Sequence, residues 1–264
     1  AEMTNKLQEL VLNIYKTDGE TKKALAGAEF TVYDNDGNEL GKVTTGEDGN
    51  ASTRGKITMY AGREYIVRET KAPQGYKASN FEQKFSSDFD SSIEYHEVNI
   101  SVENAPTEVT ITKTDFSTGE LIPDCGIEIL DENKNVIVQG RTDEKGEVTF
   151  KRLPVGKYYY REFDAPKGYY LDTTPYAFTI GEDGVVKAKM TNKLQEVILN
   201  IYKTDGETKK ALAGAEFTVF DKNGNELGKI TTDENGQATT RDKIKLYAGV
   251  GYNVKETKAP DGYR

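Results

Sequence analysis

Three lysines in this chain each end an apolar strand pattern. Side chains alternate faces along a strand. One face reads Leu12, Ile14, Lys16 near the start, Val109, Ile111, Lys113 in the middle, and Leu199, Ile201, Lys203 later on. A second pattern ends in an acid: Tyr65, Val67, Glu69; Tyr158, Tyr160, Glu162; and Tyr252, Val254, Glu256. A third ends in an amide, as Val98, Ile100, Val102, Asn104 and again as Val186, Ala188, Met190, Asn192. Each complete set aims one lysine, one glutamate and one asparagine into an apolar interior.

Burying such groups without partners costs several kcal/mol, so they must pair or react. Pairing gives a buried Lys–Glu ion pair with the amide hydrogen-bonded beside it. Reaction gives amide transfer. Apolar burial favours the neutral amine of a lysine, which is nucleophilic, and the neutral form of a carboxylic acid. A neutral acid can hydrogen-bond the asparagine carbonyl, polarise it and shuttle protons to departing ammonia. The product is a side-chain Lys–Asn isopeptide bond, formed once, with no cofactor or metal and no substrate but the protein itself.

The elements that would position these groups repeat. Met3–Tyr76 and Met190–Tyr263 align without a gap, with 56 identities in 74 positions. A weaker copy lies between them: Lys16-Thr17-Asp18 recurs as Lys113-Thr114-Asp115 and Lys203-Thr204-Asp205. Self-similarity of this kind marks tandem modules. The chain divides into 1–5, the tail of a preceding repeat; unit one, 6–105; unit two, 106–193; and unit three, 194–264, which stops where unit one still has a stretch to run. On this reading the chain is a window on a longer array. Links of a few residues, such as Asn104-Ala105-Pro106-Thr107, make it a fairly stiff string. Period-two patterns such as Ala28–Val32, punctuated by Asp36-Gly37, Asp48-Gly49, Asp183-Gly184, Asn223-Gly224 and Asn235-Gly236, predict short strands and turns. The fold class is all-β, a series of small antiparallel sandwiches.

Composition narrows the function. The 35 basic and 44 acidic residues give a net charge of −9, against a nucleic-acid or anionic-membrane binder. No apolar run approaches a membrane span, and Ala1–Lys6 does not read as an export signal. The single cysteine, Cys125, aligns with the inward Ala28 and reads as a small buried filler. Asp34-Asn35-Asp36-Gly37-Asn38 lacks the glycine and glutamate positions of a calcium loop and reads as a hairpin turn. His96 stands alone as a surface strand residue, and Tyr158-Tyr159-Tyr160 reads as core and sheet packing. No serine or cysteine nucleophile has a plausible histidine base, which argues against a turnover enzyme.

The Lys-Thr-Asp opening, the Ala-Gly-Ala-Glu-Phe-Thr-Val strand and the Glu-Thr-Lys-Ala-Pro-x-Gly-Tyr close resemble one module over essentially the whole chain. It is the collagen-adhesin B-type, or SpaA-like prealbumin-like, domain of Gram-positive surface proteins and pilins. The resemblance implies an immunoglobulin-like or transthyretin-like sandwich in an elongated array, an extracellular, sortase-anchored cell-wall setting, and a spontaneous Lys–Asn crosslink assisted by an acid. Carried over, the crosslinking residues are Lys16 with Asn104 and Lys113 with Asn192, and the catalytic acids are Glu69, Glu162 and Glu256. Lys203 has no acceptor asparagine in its unit, and Asn5 has no donor lysine in its own. Unit two departs from the pattern, with Glu162-Phe163-Asp164-Ala165-Pro166 and Pro123-Asp124-Cys125-Gly126-Ile127. The expected function is a structural stalk of self-crosslinked repeats whose partners are neighbouring repeats of the same chain. The alternatives are an adhesin module contacting a host or matrix protein, and a pilus-shaft subunit, for which the sequence shows neither a sorting signal nor a polymerising lysine motif.

Overall fold

The computed structural model describes residues 6–90 and 92–264. Unit one contains β1 (Glu9–Asp18), β2 (Glu29–Asp34), β3 (Glu39–Thr44), β4 (Asn50–Ser52), β5 (Tyr65–Lys71), β6 (Glu82–Phe85) and β7 (Tyr95–Asn104). They form two sheets, β4-β1-β7 and β3-β2-β5-β6. The alternating apolar side chains of both sheets meet in a core that includes Leu10, Leu12, Ile14, Phe30, Val32, Met59 and Val67, all fully buried or nearly so.

Unit two repeats the plan with β8 (Glu108–Asp115), β9 (Gly126–Leu130), β10 (Val136–Arg141), β11 (Glu147–Lys151), β12 (Gly156–Asp164), β13 (Tyr176–Ile180) and β14 (Val185–Asn192). Its sheets are β11-β8-β14 and β10-β9-β12-β13. The four-stranded sheets are antiparallel, as the short hairpins require. The strands bearing the lysine and asparagine are not. β1 runs parallel to β7 over ten residue pairs, with Lys16 opposite Val102 and Asp18 opposite Asn104. β8 and β14 repeat this, with Lys113 opposite Met190 and Asp115 opposite Asn192. Parallel neighbours need a long crossover, and here the whole module is the crossover.

Unit three has β15 (Glu196–Val197), β16 (Asn200–Tyr202), β17 (Glu216–Asp221), β18 (Glu226–Thr231), β19 (Gln237–Thr239), β20 (Leu246–Tyr247) and β21 (Tyr252–Lys258). The sheet β18-β17-β21 matches β3-β2-β5. The segment equivalent to β1 is divided between β15, paired with β20, and β16, paired with β19.

One glycine per unit fixes the lysine strand. Gly49, Gly146 and Gly236 all have positive φ, and a Cβ there would lie 2.6, 2.8 and 2.4 Å from the carbonyl oxygens of Lys16, Lys113 and Lys203. That approach lets each glycine carbonyl accept the lysine backbone N–H at 2.8 Å.

Candidate functional site

In unit one the structure brings Lys16, Glu69 and Asn104 together from β1, β5 and β7. Lys16 is fully buried, and Glu69 and Asn104 are 7% and 3% exposed. The Lys16 Nζ donates to Glu69 Oε2 at 3.0 Å and also to Asn104 Oδ1. Asn104 Nδ2 donates to Glu69 Oε1 at 2.8 Å and to the Lys77 carbonyl at 3.1 Å. Each pair in the triad is therefore hydrogen-bonded. The Phe30 ring, 5.8 Å from Nζ, closes the apolar side. Burial lowers the Lys16 pKa, opposed by the hydrogen bond and charge of Glu69. Burial thus favours the neutral amine that nucleophilic attack requires.

One detail differs from expectation. The glutamate faces the amide nitrogen of Asn104, and the lysine takes the carbonyl oxygen. This division satisfies all three groups, because lysine can only donate, whereas the amide both donates and accepts. It also places the carboxyl against the group that would leave.

Unit two brings Lys113, Glu162 and Asn192 together with the same burial, at 0%, 0% and 2% exposure. Asn192 Nδ2 donates to Glu162 Oε1 at 2.7 Å, and the backbone N–H of Asp172 donates to Glu162 Oε2 at 2.9 Å. Lys113 Nζ lies 3.5 Å from Glu162 Oε1. Among the described residues, neither Nζ nor Asn192 Oδ1 has a hydrogen-bond partner. Burial lowers the Lys113 pKa, against the charge of Glu162. Cys125 is fully buried, and burial pushes its thiol up to about 12. Its backbone N–H donates to Thr142 Oγ1 at 2.9 Å, as Ala28 does to Thr45 at 3.1 Å and Ala215 to Thr232 at 3.0 Å. Cys125 thus occupies the alanine position, as its alignment implied.

In unit three Lys203 and Glu256 meet at 2.7 Å, but their side chains are 28% and 31% exposed. Asn5 lies outside the described residues. His96, half-buried, shares a 2.9 Å hydrogen bond with Gln8. Asp34 accepts from Asn38 in a hairpin turn.

The sequence patterns missed Asp18, two residues beyond Lys16 and opposite Asn104. It is 1% exposed. Burial alone would raise its pKa, but hydrogen bonds from the Thr21 N–H, Tyr76 and Arg152 outweigh it and hold the carboxyl well below the usual range. The clue was present, since the Lys-Thr-Asp tripeptide keeps its aspartate in all three units.

A row of small prealbumin-like sandwiches, each presenting a lysine and a glutamate side by side, defines the class of this molecule. The SpaA family model, described as a prealbumin-like fold domain, matches residues 11–101, 107–194 and 197–264, and the chain belongs to that family. Serine-aspartate repeat-containing protein F of Staphylococcus epidermidis is 24% identical over an alignment covering 83% of this chain and 14% of that protein. Serine-aspartate repeat-containing protein D of Staphylococcus aureus strain Newman is 27% identical, covering 92% of this chain and 21% of that one. The chain therefore spans roughly a fifth or less of these relatives. Among solved structures, the Bacillus anthracis TIE protein is similar, with 34% identity, a TM-score of 0.59, and coverage of 96% of this chain and 46% of that one.

Proposed function

We propose that this chain is a run of structural stalk repeats of a Gram-positive cell-surface adhesin, exported and anchored outside the cell, in which units one and two crosslink themselves. The observation that carries this reading is the bridging carboxyl of Glu69, hydrogen-bonded at once to the Lys16 amine and the Asn104 amide nitrogen. The neutral Nζ attacks Cγ of Asn104. A new N–C bond forms, the Cγ–Nδ2 bond breaks, and Nδ2 leaves as ammonia carrying one former lysine proton, which Glu69 relays. Lys113, Glu162 and Asn192 follow the same course in unit two. The reaction occurs once per module, so the protein is not a turnover enzyme.

The bond would close a loop of 88 residues in unit one. By analogy with disulfides, loops of this size remove about 4–5 kcal/mol of unfolded-state entropy. The mechanical effect follows from topology. Tension pulls β1 from its N-terminal end and β7 from its C-terminal end, shearing parallel neighbours. A bond from Lys16 to Asn104 routes the load from β1 into the next module and leaves residues 17–103 outside the load path. Near-identical copies suit a spacer, whose units need not differ.

Intact mass spectrometry of the folded chain tests the reading. Two ammonia losses are expected relative to the sequence mass, one in a peptide joining Lys16 to Asn104 and one in a peptide joining Lys113 to Asn192. The full sequence mass would sink the proposal.

A further inference from the structure

The junctions between units share a backbone scheme but not their side chains. From unit one to unit two, the Thr107 N–H donates to Gly75 O at 2.9 Å and the Arg152 N–H donates to Thr107 O at 3.1 Å. From unit two to unit three, the Gln195 N–H donates to Gly168 O at 2.7 Å and the Ala248 N–H donates to Gln195 O at 2.8 Å. The glycines confirm the equivalence: a Cβ on Gly75 would lie 2.5 Å from Arg152 O, and one on Gly168 would lie 2.4 Å from Ala248 O. Arg152 and Ala248 therefore occupy the same seat.

The surfaces they meet are matched in charge. Arg152 donates through Nε and Nη2 to Asp18 Oδ2 at 3.0 and 2.8 Å, and through Nη2 to Glu20 Oε2 at 3.2 Å. Lys151 pairs with Glu20 at 2.5 Å, and the Tyr76 hydroxyl donates to Asp18 Oδ2 at 2.7 Å. Unit two offers Asp115 at the equivalent position, but Phe116 and Ser117 replace Gly19 and Glu20, and the module that follows supplies Tyr247-Ala248 instead of Lys151-Arg152. An acidic pair thus meets a basic pair at one junction, and both pairs are reduced together at the next.

Unit three carries the unit-one surface again: Asp205, Glu207 and Tyr263, with the Tyr263 hydroxyl donating to Asp205 Oδ2 at 2.8 Å and Gly262 at φ +86° where Gly75 has +82°. We propose that Asp205, Glu207 and Tyr263 form a docking socket for the Lys-Arg turn of a unit-two-type module, and that this charge match sets an alternating order of modules along the array. A unit-one-type module brings Tyr60-Ala61 to the seat and leaves the acids unpaired. This inference is independent of the crosslinks, which lie inside the sandwiches.

Residual dipolar couplings of the folded chain provide the first test. Arg152→Ala should separate the alignment tensors of units one and two while leaving those of units two and three related as before. The second test uses two longer chains. One is extended at Arg264 by a second copy of residues 78–193, which completes unit three and adds a unit-two-type module. The other is extended by residues 78–105 followed by 7–105, which adds a unit-one-type module. The first should show unit three and its follower sharing one tensor, separated by Glu207→Gln with Asp205→Asn, or by Arg152→Ala in the appended copy, which leaves the Asp205 turn intact. The second should show separate tensors whether or not the acids are changed. Equal coupling in the two extended chains, or coupling that survives loss of both acids and of the arginine, would overturn the proposal.

Discussion

Units one and three share 56 of 74 aligned residues, including every residue from Leu12 to Val32 and its counterpart, yet they hold the same ion pair in different media. In unit one the side chains of Lys16 and Glu69 are 0% and 1% exposed, and in unit three those of Lys203 and Glu256 are 28% and 31% exposed. The difference is β7. It lies along all of β1, and its Ile100 and Val102 seal the core beside Lys16. In unit three Leu199 and Ile201 are only partly buried against the core. Burial of the lysine is thus a property of the completed sandwich rather than of the strand that carries it. The strand that buries this lysine is the same one that bears its asparagine, so burial and acceptor come together.

Removing the acid from each unit should give the largest contrast. Glu69→Ala leaves a buried lysine without its charge partner, which costs about 3–5 kcal/mol, and removes the proton relay. The chain should then show one ammonia loss instead of two, with unit one melting well below its normal temperature. Glu256→Ala breaks a partly exposed pair, for which about 0–1 kcal/mol is expected. Comparable destabilisation of the two units in denaturant melts would contradict the difference in medium. Asn104→Ala removes the crosslink together with the amide's hydrogen bonds to Glu69 and the Lys77 carbonyl, while Lys16 and Glu69 remain paired. Its expected cost is about 4–5 kcal/mol. Amide exchange in β1 should rise toward that of β16, which is expected to be the faster in the unmodified chain. Exchange in β1 unchanged by Asn104→Ala would mean that no bond had been formed there.

Most of the candidate site was legible because it rests on strand periodicity. The stripe Leu12, Ile14, Lys16 and the stripe Ile100, Val102, Asn104 specify faces, and the second sheet adds Val67 and Glu69. Pattern could not supply direction. Alternation looks the same in parallel and antiparallel strands, so the parallel course of β1 and β7 had to come from the fold. Nor did it supply Asp18. In β1 the residues Thr17 and Asp18 are also buried, Asp18 beneath Arg152 of the next module, and period two fails where a neighbouring module takes the place of solvent. The same limit hid Arg152, whose partner lies 134 residues away in sequence. The unpartnered Lys113 amine and Asn192 carbonyl of unit two were likewise invisible, because spacing alone does not distinguish a 3.5 Å approach from a 3.0 Å hydrogen bond.

The smallest predicted effect concerns protons and applies to the uncrosslinked form of unit one, obtained as Asn104→Ala. Burial holds the Lys16 pKa below its ordinary value of 10.5, against the pull of Glu69. The unfolded chain therefore binds more protons at this site than the folded one between the two pKa values, and stability must rise with pH across that window. The penalty is full below the folded pKa and vanishes as pH approaches the ordinary lysine value. Urea midpoints of unit one in Asn104→Ala should accordingly climb on the alkaline side, and adding Lys16→Met should flatten the climb. A midpoint falling through the same interval, with Met and Lys behaving alike, would mean that the amine is as well solvated in the sandwich as in the open chain. The contrast between units one and three would then be one of packing rather than of charge.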